Sequence, residues 1–257
     1  MFSLHIAILQ HNSVWHNPMA NKEQLEKQLH ELPKKTTLVV LPEMWATGFT
    51  MKPAAVAETM NGPSIQWMKE MAKGHHTAIC GSLAIKEGEH FYNRFIFVHP
   101  NQQADTYDKV HPYTPSGESK LYRAGMGSTL IEYVGFRIRP LVCYDLRFPV
   151  FARNTDNYDL LICVANWPAA RIQAWNALLR ARAIENMAYS VGVNRMGKDA
   201  YRLTYPGASA AYTALGDEVI FMNEKESTAH FTIDLDTLHK TRENLPFLDD
   251  RDDFILK

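Results

Sequence analysis

Three residues of this sequence carry side chains suited to covalent attack on a carbonyl carbon, and each follows a short apolar run. Glu43 stands in Leu41-Pro42-Glu43-Met44, and Lys109 in Tyr107-Asp108-Lys109-Val110-His111-Pro112. Cys143 stands in Leu141-Val142-Cys143-Tyr144-Asp145-Leu146-Arg147-Phe148-Pro149. A thiol can serve as nucleophile. A carboxylate set among apolar residues is desolvated, which suits it to general-base work near neutral pH. An ammonium is a compact point charge that can face an oxyanion. Taken singly, each residue also has a plainer reading: a loop glutamate paired with a lysine, a strand-edge charge, and a small strand hydrophobe.

Cys143 differs from the other two cysteines in its surroundings. Cys80 and Cys163 lie inside the apolar runs Ala78-Ile79-Cys80 and Leu161-Ile162-Cys163-Val164 and read as buried filler. After Cys143 the chain turns polar at once. A backbone leaving a sheet there exposes the thiol and frees the Tyr144 N–H as an oxyanion donor. Asp145 and Arg147 read as braces of that turn. A Cys–His dyad with His111 is conceivable, but nothing in the spacing supports it. The histidines form no HExxH or other metal-ligand spacing, and no GxGxxG follows a strand.

These segments need strands to carry them, and the hydrophobic pattern supplies strands. Ile6–Leu9 precedes a helical pattern over Pro18–Leu32, then come Thr37–Leu41, a second helical pattern over Pro63–His75, and Ala78–Leu83. This β-α-β-α-β order predicts a parallel or mixed sheet with helical cover. Hairpins are expected around Gly88, Asn101 and Gly135. The alternation then resumes with a short helix over Phe148–Asn154, a strand over Leu160–Val164, a long helix over Arg171–Met187 and a strand over Tyr189–Val193. A last hairpin turns at Leu215-Gly216-Asp217, and Asp236 is expected to N-cap a helix ending near Asn244.

The chain has 257 residues, 46% of them hydrophobic, enough for one substantial core, and a net charge of −1. That balance favours neither nucleic acid nor an anionic membrane as a partner and leaves small molecules open. Three cysteines without a CxxC suit a reducing, cytoplasmic setting. The first apolar run lacks a basic leader and reads as a strand, not a signal peptide. With no linker or repeat, residues 1–257 read as a single domain. Residues 248–257 form a charged tail whose Phe254-Ile255-Leu256 either packs on a partner subunit or stays loosely ordered.

Together the three segments, in this order, resemble the nitrilase superfamily of carbon–nitrogen hydrolases over essentially the whole chain. The resemblance continues through Gly117-Glu118-Ser119, Ala165-Asn166-Trp167-Pro168, Arg171, Ala181–Asn186, Asn194-Arg195-Met196-Gly197 and Gly207-Ala208-Ser209. Leu41–Phe49 and Leu141–Pro149 look most like the omega-amidase branch, which hydrolyses the terminal amide of 2-oxoglutaramate and related compounds. The resemblance implies an α/β fold, a four-layer α-β-β-α sandwich of the nitrilase type in a single domain, and homodimers formed through a helical face. It also implies a small-molecule amide substrate and no metal or organic cofactor.

Carried onto this sequence, the catalytic residues are Glu43, Lys109 and Cys143, with Glu118 as a supporting carboxylate and the Tyr144 N–H at the oxyanion. Phe49, Asn166 and Trp167 are expected to bind substrate, and Arg171 to grip its carboxylate by a bidentate contact. Two places depart from the branch: the loop Tyr113–Gly117, and Ala208, where an aspartate is common. Both are expected to bear on substrate preference. The same three residues would also serve an N-carbamoyl-amino-acid amidohydrolase or a nitrilase. A non-catalytic binding subunit and a redox-sensing cysteine protein are the readings outside this chemistry.

Overall fold

The computed structural model describes residues 2–225 and 227–255. Its first sheet is built from β1 (Ser3–Leu9), β2 (Leu38–Val40), β3 (Ala78–Glu87), β4 (His90–Val98) and β5 (Ala104–Asp108). The second holds β6 (Ile131–Tyr133), β7 (Phe136–Val142), β8 (Leu160–Ala165) and β9 (Tyr189–Asn194). A small hairpin follows, β10 (Met196–Lys198) with β11 (Thr204–Pro206). β12 (Ala210–Tyr212) and β13 (Glu218–Phe221) complete the second sheet, and β14 (Thr228–Asp234) returns to the first. The orders are β14-β1-β2-β3-β4-β5 and β13-β12-β9-β8-β7-β6. Each sheet has a parallel centre, β1-β2-β3 or β7-β8-β9, flanked by antiparallel strands.

Strands buried on both faces explain this layering. In the first sheet Leu4, Ile6, Ile8, Leu38 and Val40 face the second sheet in one core cluster. Their neighbours Ala7, Leu9, Val39 and Leu41 face α1 (Pro18–His30) and α3 (Pro63–His75) in another. A short helix, α2 (Pro53–Val56), lies between these two in the chain, and α4 (Pro149–Ala152) follows the turn after β7. On the far side of the second sheet lies α5 (Ile172–Asn186), whose Trp175, Leu179 and Ala183 join the inter-sheet cluster. α5 approaches β9 so closely that a Cβ on Gly192 would clash with Leu179 Cδ2 and stand 2.7 Å from Trp175 Cζ2. The result is the expected α-β-β-α sandwich.

Local signals account for the helix ends. Pro18 and Pro63 open α1 and α3 at the first turn, and Asn17 Oδ1 accepts from Ala20 N at 3.1 Å. α6 (Leu235–Asn244) is capped by Asp234, whose Oδ1 accepts from Thr237 N at 2.8 Å. Asp236, the residue the sequence pattern offered, sits in the first turn instead, where its charge suits the helix dipole. In the tail, Phe254 is 38% and Ile255 89% exposed, while Leu256 and Lys257 lie outside the described residues. Among the described residues no helix is long and apolar enough to cross a membrane.

Candidate active site

The candidate residues sit where strands end on one rim of the sandwich. Glu43 follows β2 and Lys109 follows β5 in the first sheet, while Cys143 follows β7 and Asn166 follows β8 in the second. Two of these exits use the left-handed backbone region: Met44 has φ 44° and Cys143 φ 48°. Such a residue without a glycine's freedom is strained by about 1–2 kcal/mol. The strain is held by surrounding contacts and turns the chain sharply off the sheet.

Glu43 and Glu118 are fully buried, Lys109 is 2% exposed, and the lysine joins the two acids. Lys109 Nζ donates to Glu43 Oε1 at 3.0 Å and to Glu118 Oε1 and Oε2 at 3.1 and 2.9 Å. Glu43 Oε2 accepts from Asn166 N at 2.8 Å, so the second sheet fixes a carboxylate of the first. Burial opposes the Lys109 ammonium, but Glu118, Glu43 and Cys143 outweigh it and hold the lysine well above its ordinary range. Burial raises Glu118 against the pull of Lys109, with the Glu43 charge adding to the rise. Burial, then Glu43, push the Cys143 thiol well up, and Lys109 offsets part of this. At rest, therefore, the lysine is an ammonium and the thiol is neutral.

Cys143 is half-buried, whereas Cys80 and Cys163 are fully enclosed. It opens a 3-10 turn over Cys143–Arg147, in which Tyr144 is the second residue. An amide N–H at that position has no partner within the turn. Asp145 is the brace. Its Oδ2 accepts from Val142 N at 3.0 Å and Tyr107 Oη at 2.8 Å, and its Oδ1 from His111 N at 2.9 Å. The His111 ring is held too, with Nδ1 2.8 Å from Asp145 Oδ1 and its plane stacked 3.7 Å over Phe148. His111 thus belongs to the brace. From α5, the guanidinium of Arg182 donates to Leu146 O at 2.6 Å, latching the same turn.

Arg147 does not brace the turn, contrary to the sequence reading. Its guanidinium lies 4.9 Å over the Trp167 ring and lines a cavity of about 100 Å³ together with Glu43, Lys109 and Cys143. The 3-10 turn, with about three residues per turn, explains the difference: Asp145 points into the core while Arg147, two residues on, faces the opening. Phe49, Tyr144, Asn166, Trp167 and Arg171 also line this cavity. Arg171 stands 5.3 Å over the Tyr113 ring, and Phe49 lies 5.4 Å from the Lys109 ammonium.

Tyr113 and Ser116 bring the unusual loop into the lining. Ala208 is not part of it. That residue, at φ 56°, uses its carbonyl to accept from Trp175 Nε1 at 2.7 Å. Leu203 and Tyr205, from the β10–β11 hairpin, also line the cavity and were not foreseen. Among the described residues no group of three or more His, Cys, Asp or Glu side chains is gathered as a metal ion would need.

A thiol, an acidic side chain and an ammonium lining one cavity define a class of hydrolase, and the whole sequence agrees. It matches the carbon–nitrogen hydrolase family over residues 5–243, and the chain belongs to that family. It is accordingly a hydrolase of carbon–nitrogen amide bonds.

Among its relatives is omega-amidase YafV of Escherichia coli, 38% identical over 257 residues, with all of both chains covered. The 2-oxoglutaramate amidase of Bacillus subtilis is 30% identical, covering 95% of this chain and 96% of its own. The crystal structure of XC1258 from Xanthomonas campestris, a carbon–nitrogen hydrolase superfamily protein with an arsenic adduct in its active site, superposes with a TM-score of 0.97. That structure is 37% identical and covers all of both chains.

Proposed function

We propose that this enzyme is an omega-amidase, hydrolysing the terminal amide of small ω-amido dicarboxylates such as 2-oxoglutaramate and 2-oxosuccinamate to the acid and ammonia. The observation that carries this is the joining of Lys109 to both Glu43 and Glu118 beside Cys143, in a cavity that also holds two guanidinium groups. The catalytic trio supplies the chemistry, and Arg147 and Arg171 supply the charge that a carboxylate-bearing amide needs.

In this mechanism Glu43 takes the proton of the Cys143 thiol as the sulfur attacks the amide carbon. Moving that proton to Glu43 leaves the net charge of the buried cluster unchanged. Proton transfer and attack are therefore coupled, and a free thiolate beside two carboxylates is avoided. Lys109 and the Tyr144 N–H face the oxygen of the tetrahedral intermediate, where losing one donor typically costs about 3 kcal/mol.

Protonated Glu43 returns its proton to the departing amine, ammonia leaves, and a thioester remains on Cys143. Glu43 then takes a proton from water as its oxygen attacks the thioester carbon. The Cys143 sulfur departs, recovers that proton, and the carboxylic acid is released. Glu118 keeps Lys109 aimed. Phe49, Tyr144 and Trp167 wall a short linear chain, and Asn166 holds Glu43.

The reading extends to a homodimer built over a helical face in the cytoplasm. Exposed Ile184 on α5, beside the Leu215–Gly216 turn, together with exposed Val150 and Phe254, supports such a face. Three free cysteines suit the reducing compartment.

The test is ammonia release across 2-oxoglutaramate, 2-oxosuccinamate, glutamine, asparagine and an N-carbamoyl amino acid. The reading expects the two oxo-amides to be the preferred substrates by kcat/KM. Preference for the N-carbamoyl compound would assign the chain to the neighbouring amidohydrolase reaction instead.

A further inference from the structure

Asn93, on β4, has no part in the chemistry above, yet its carboxamide sits between the two acids. Asn93 Nδ2 donates to Glu43 Oε1 at 2.7 Å and to Glu118 Oε1 at 3.1 Å. Its Oδ1 accepts from Ser82 Oγ at 2.9 Å, and Ser82 Oγ accepts from Met44 N at 2.9 Å. Ser82 and Asn93 are as buried as the acids themselves.

Proton counting fixes the direction of every bond in this chain. The Met44 N–H can only donate, so the Ser82 hydroxyl accepts it and has its single proton left for Asn93 Oδ1. That orients the carboxamide, with its NH₂ toward the carboxylates. Reversed, it would set a carbonyl oxygen against two anions in a buried site and leave the Ser82 proton without an acceptor. The left-handed φ of Met44 belongs to the same device, since the residue after the base is the one whose N–H anchors the chain.

We propose that Asn93 is a positioning residue for the amidase reaction, and that it makes Glu43 Oε2 the oxygen that exchanges the proton with Cys143. Glu43 Oε1 already accepts from Asn93 Nδ2 and from Lys109 Nζ at 3.0 Å, which occupies both of its lone pairs. Oε2 has one short bond, from Asn166 N at 2.8 Å. Its second bond is long: Asn166 Nδ2 donates to it at 3.3 Å, and at 2.7 Å to the Glu43 backbone carbonyl. Oε2 therefore carries the longest and most readily displaced bond of the carboxylate, and the thiol proton has its easiest access there.

A neutral donor shared by two carboxylates also lets them stand together beside a single ammonium. A second cation in that place would neutralise the cluster and hold Glu43 back from the thiol proton.

This inference rests on the amidase reading, so ammonia release by the wild type is its control. The variants are Asn93→Ala and Ser82→Ala, with kcat and KM for 2-oxoglutaramate measured across pH alongside thermal unfolding. Asn93→Ala is expected to lower kcat about a hundredfold with KM changed less than about threefold. Its acidic limb should move up by about one pH unit, because the carboxylate pair loses a donor to its charged form. Ser82→Ala should shift the limb the same way by less, since the amide stays but can turn. It decides the question alone if Asn93→Ala does not fold.

A loss of kcat with the acidic limb unmoved, in whichever variants fold, would mean a merely structural role and overturn the inference. A wild type that releases ammonia from no amide would bring down the amidase reading, and this inference with it.

Discussion

The Lys109 ammonium is bonded to both carboxylate oxygens of Glu118, at 3.1 and 2.9 Å, and neither side chain is more than 1% exposed. Removing one member of a buried pair leaves an uncompensated charge and costs about 3–5 kcal/mol. Glu118→Ala still leaves Lys109 one carboxylate, Glu43, so its expected loss is at the lower end, about 3 kcal/mol. Turnover should drop by at least about a hundredfold, because the ammonium is no longer held from two sides. Chemical denaturation and ammonia release measure the two effects separately.

Arg147 and Arg171 both face the cavity and differ in what lies beneath them, Trp167 and Tyr113. Truncating either to alanine should raise KM for 2-oxoglutaramate about ten- to a hundredfold, the range for losing a charge-assisted bond. Uncharged amides should change less than about threefold. Equal losses on charged and uncharged amides would show that the guanidinium groups shape the pocket without gripping a carboxylate.

Asp145 gathers donors from Val142, Tyr107 and His111 around the turn that presents Cys143. Asp145→Ala strands several buried donors at once, and a loss of about 3–5 kcal/mol is expected. Thermal unfolding should report it, together with near-complete loss of activity. Retained stability would show that Asp145 is not the brace.

His11 is buried beside Asn21 and feels Arg195. Burial chiefly, with the Arg195 charge, lowers its pKa to about 4, against a hydrogen bond from the ring to Asn21 Oδ1 that acts the other way. The unfolded chain, with an ordinary histidine, binds a proton between about pH 6.5 and 4 that the folded chain does not. The His11 contribution to stability is therefore intact above pH 6.5 and is lost as pH falls, by about 2 kcal/mol at pH 5. Unfolding midpoints recorded from pH 7 to pH 5 should fall in the wild type and fall less in His11→Gln.

Sequence pattern showed the central strands because they are buried on both faces and run almost wholly apolar. β14 escaped it. Thr228–Asp234 is an edge strand with mixed polarity, and only its pairing with β1 reveals it. Glu43, Lys109 and Cys143 were legible as strand-end residues, and Asp145 as a brace, because local chain direction suffices for both.

Arg147 was not legible, since which side of a 3-10 turn faces a cavity depends on the second sheet. Asn93 and Ser82 lie inside ordinary strand runs, and their role exists only where β3 and β4 meet the residues after β2. Leu203 and Tyr205 reach the cavity from a hairpin distant in sequence, a contact that no local spacing encodes.

The central claim is that Cys143 carries the acyl group. Mass spectrometry of enzyme quenched in acid during turnover of 2-oxoglutaramate tests it directly. The account predicts an acyl adduct on the peptide containing Cys143, absent from Cys143→Ala, which also releases no ammonia. Ammonia release by Cys143→Ala at the wild-type rate, or an acyl group found on another residue, would contradict it.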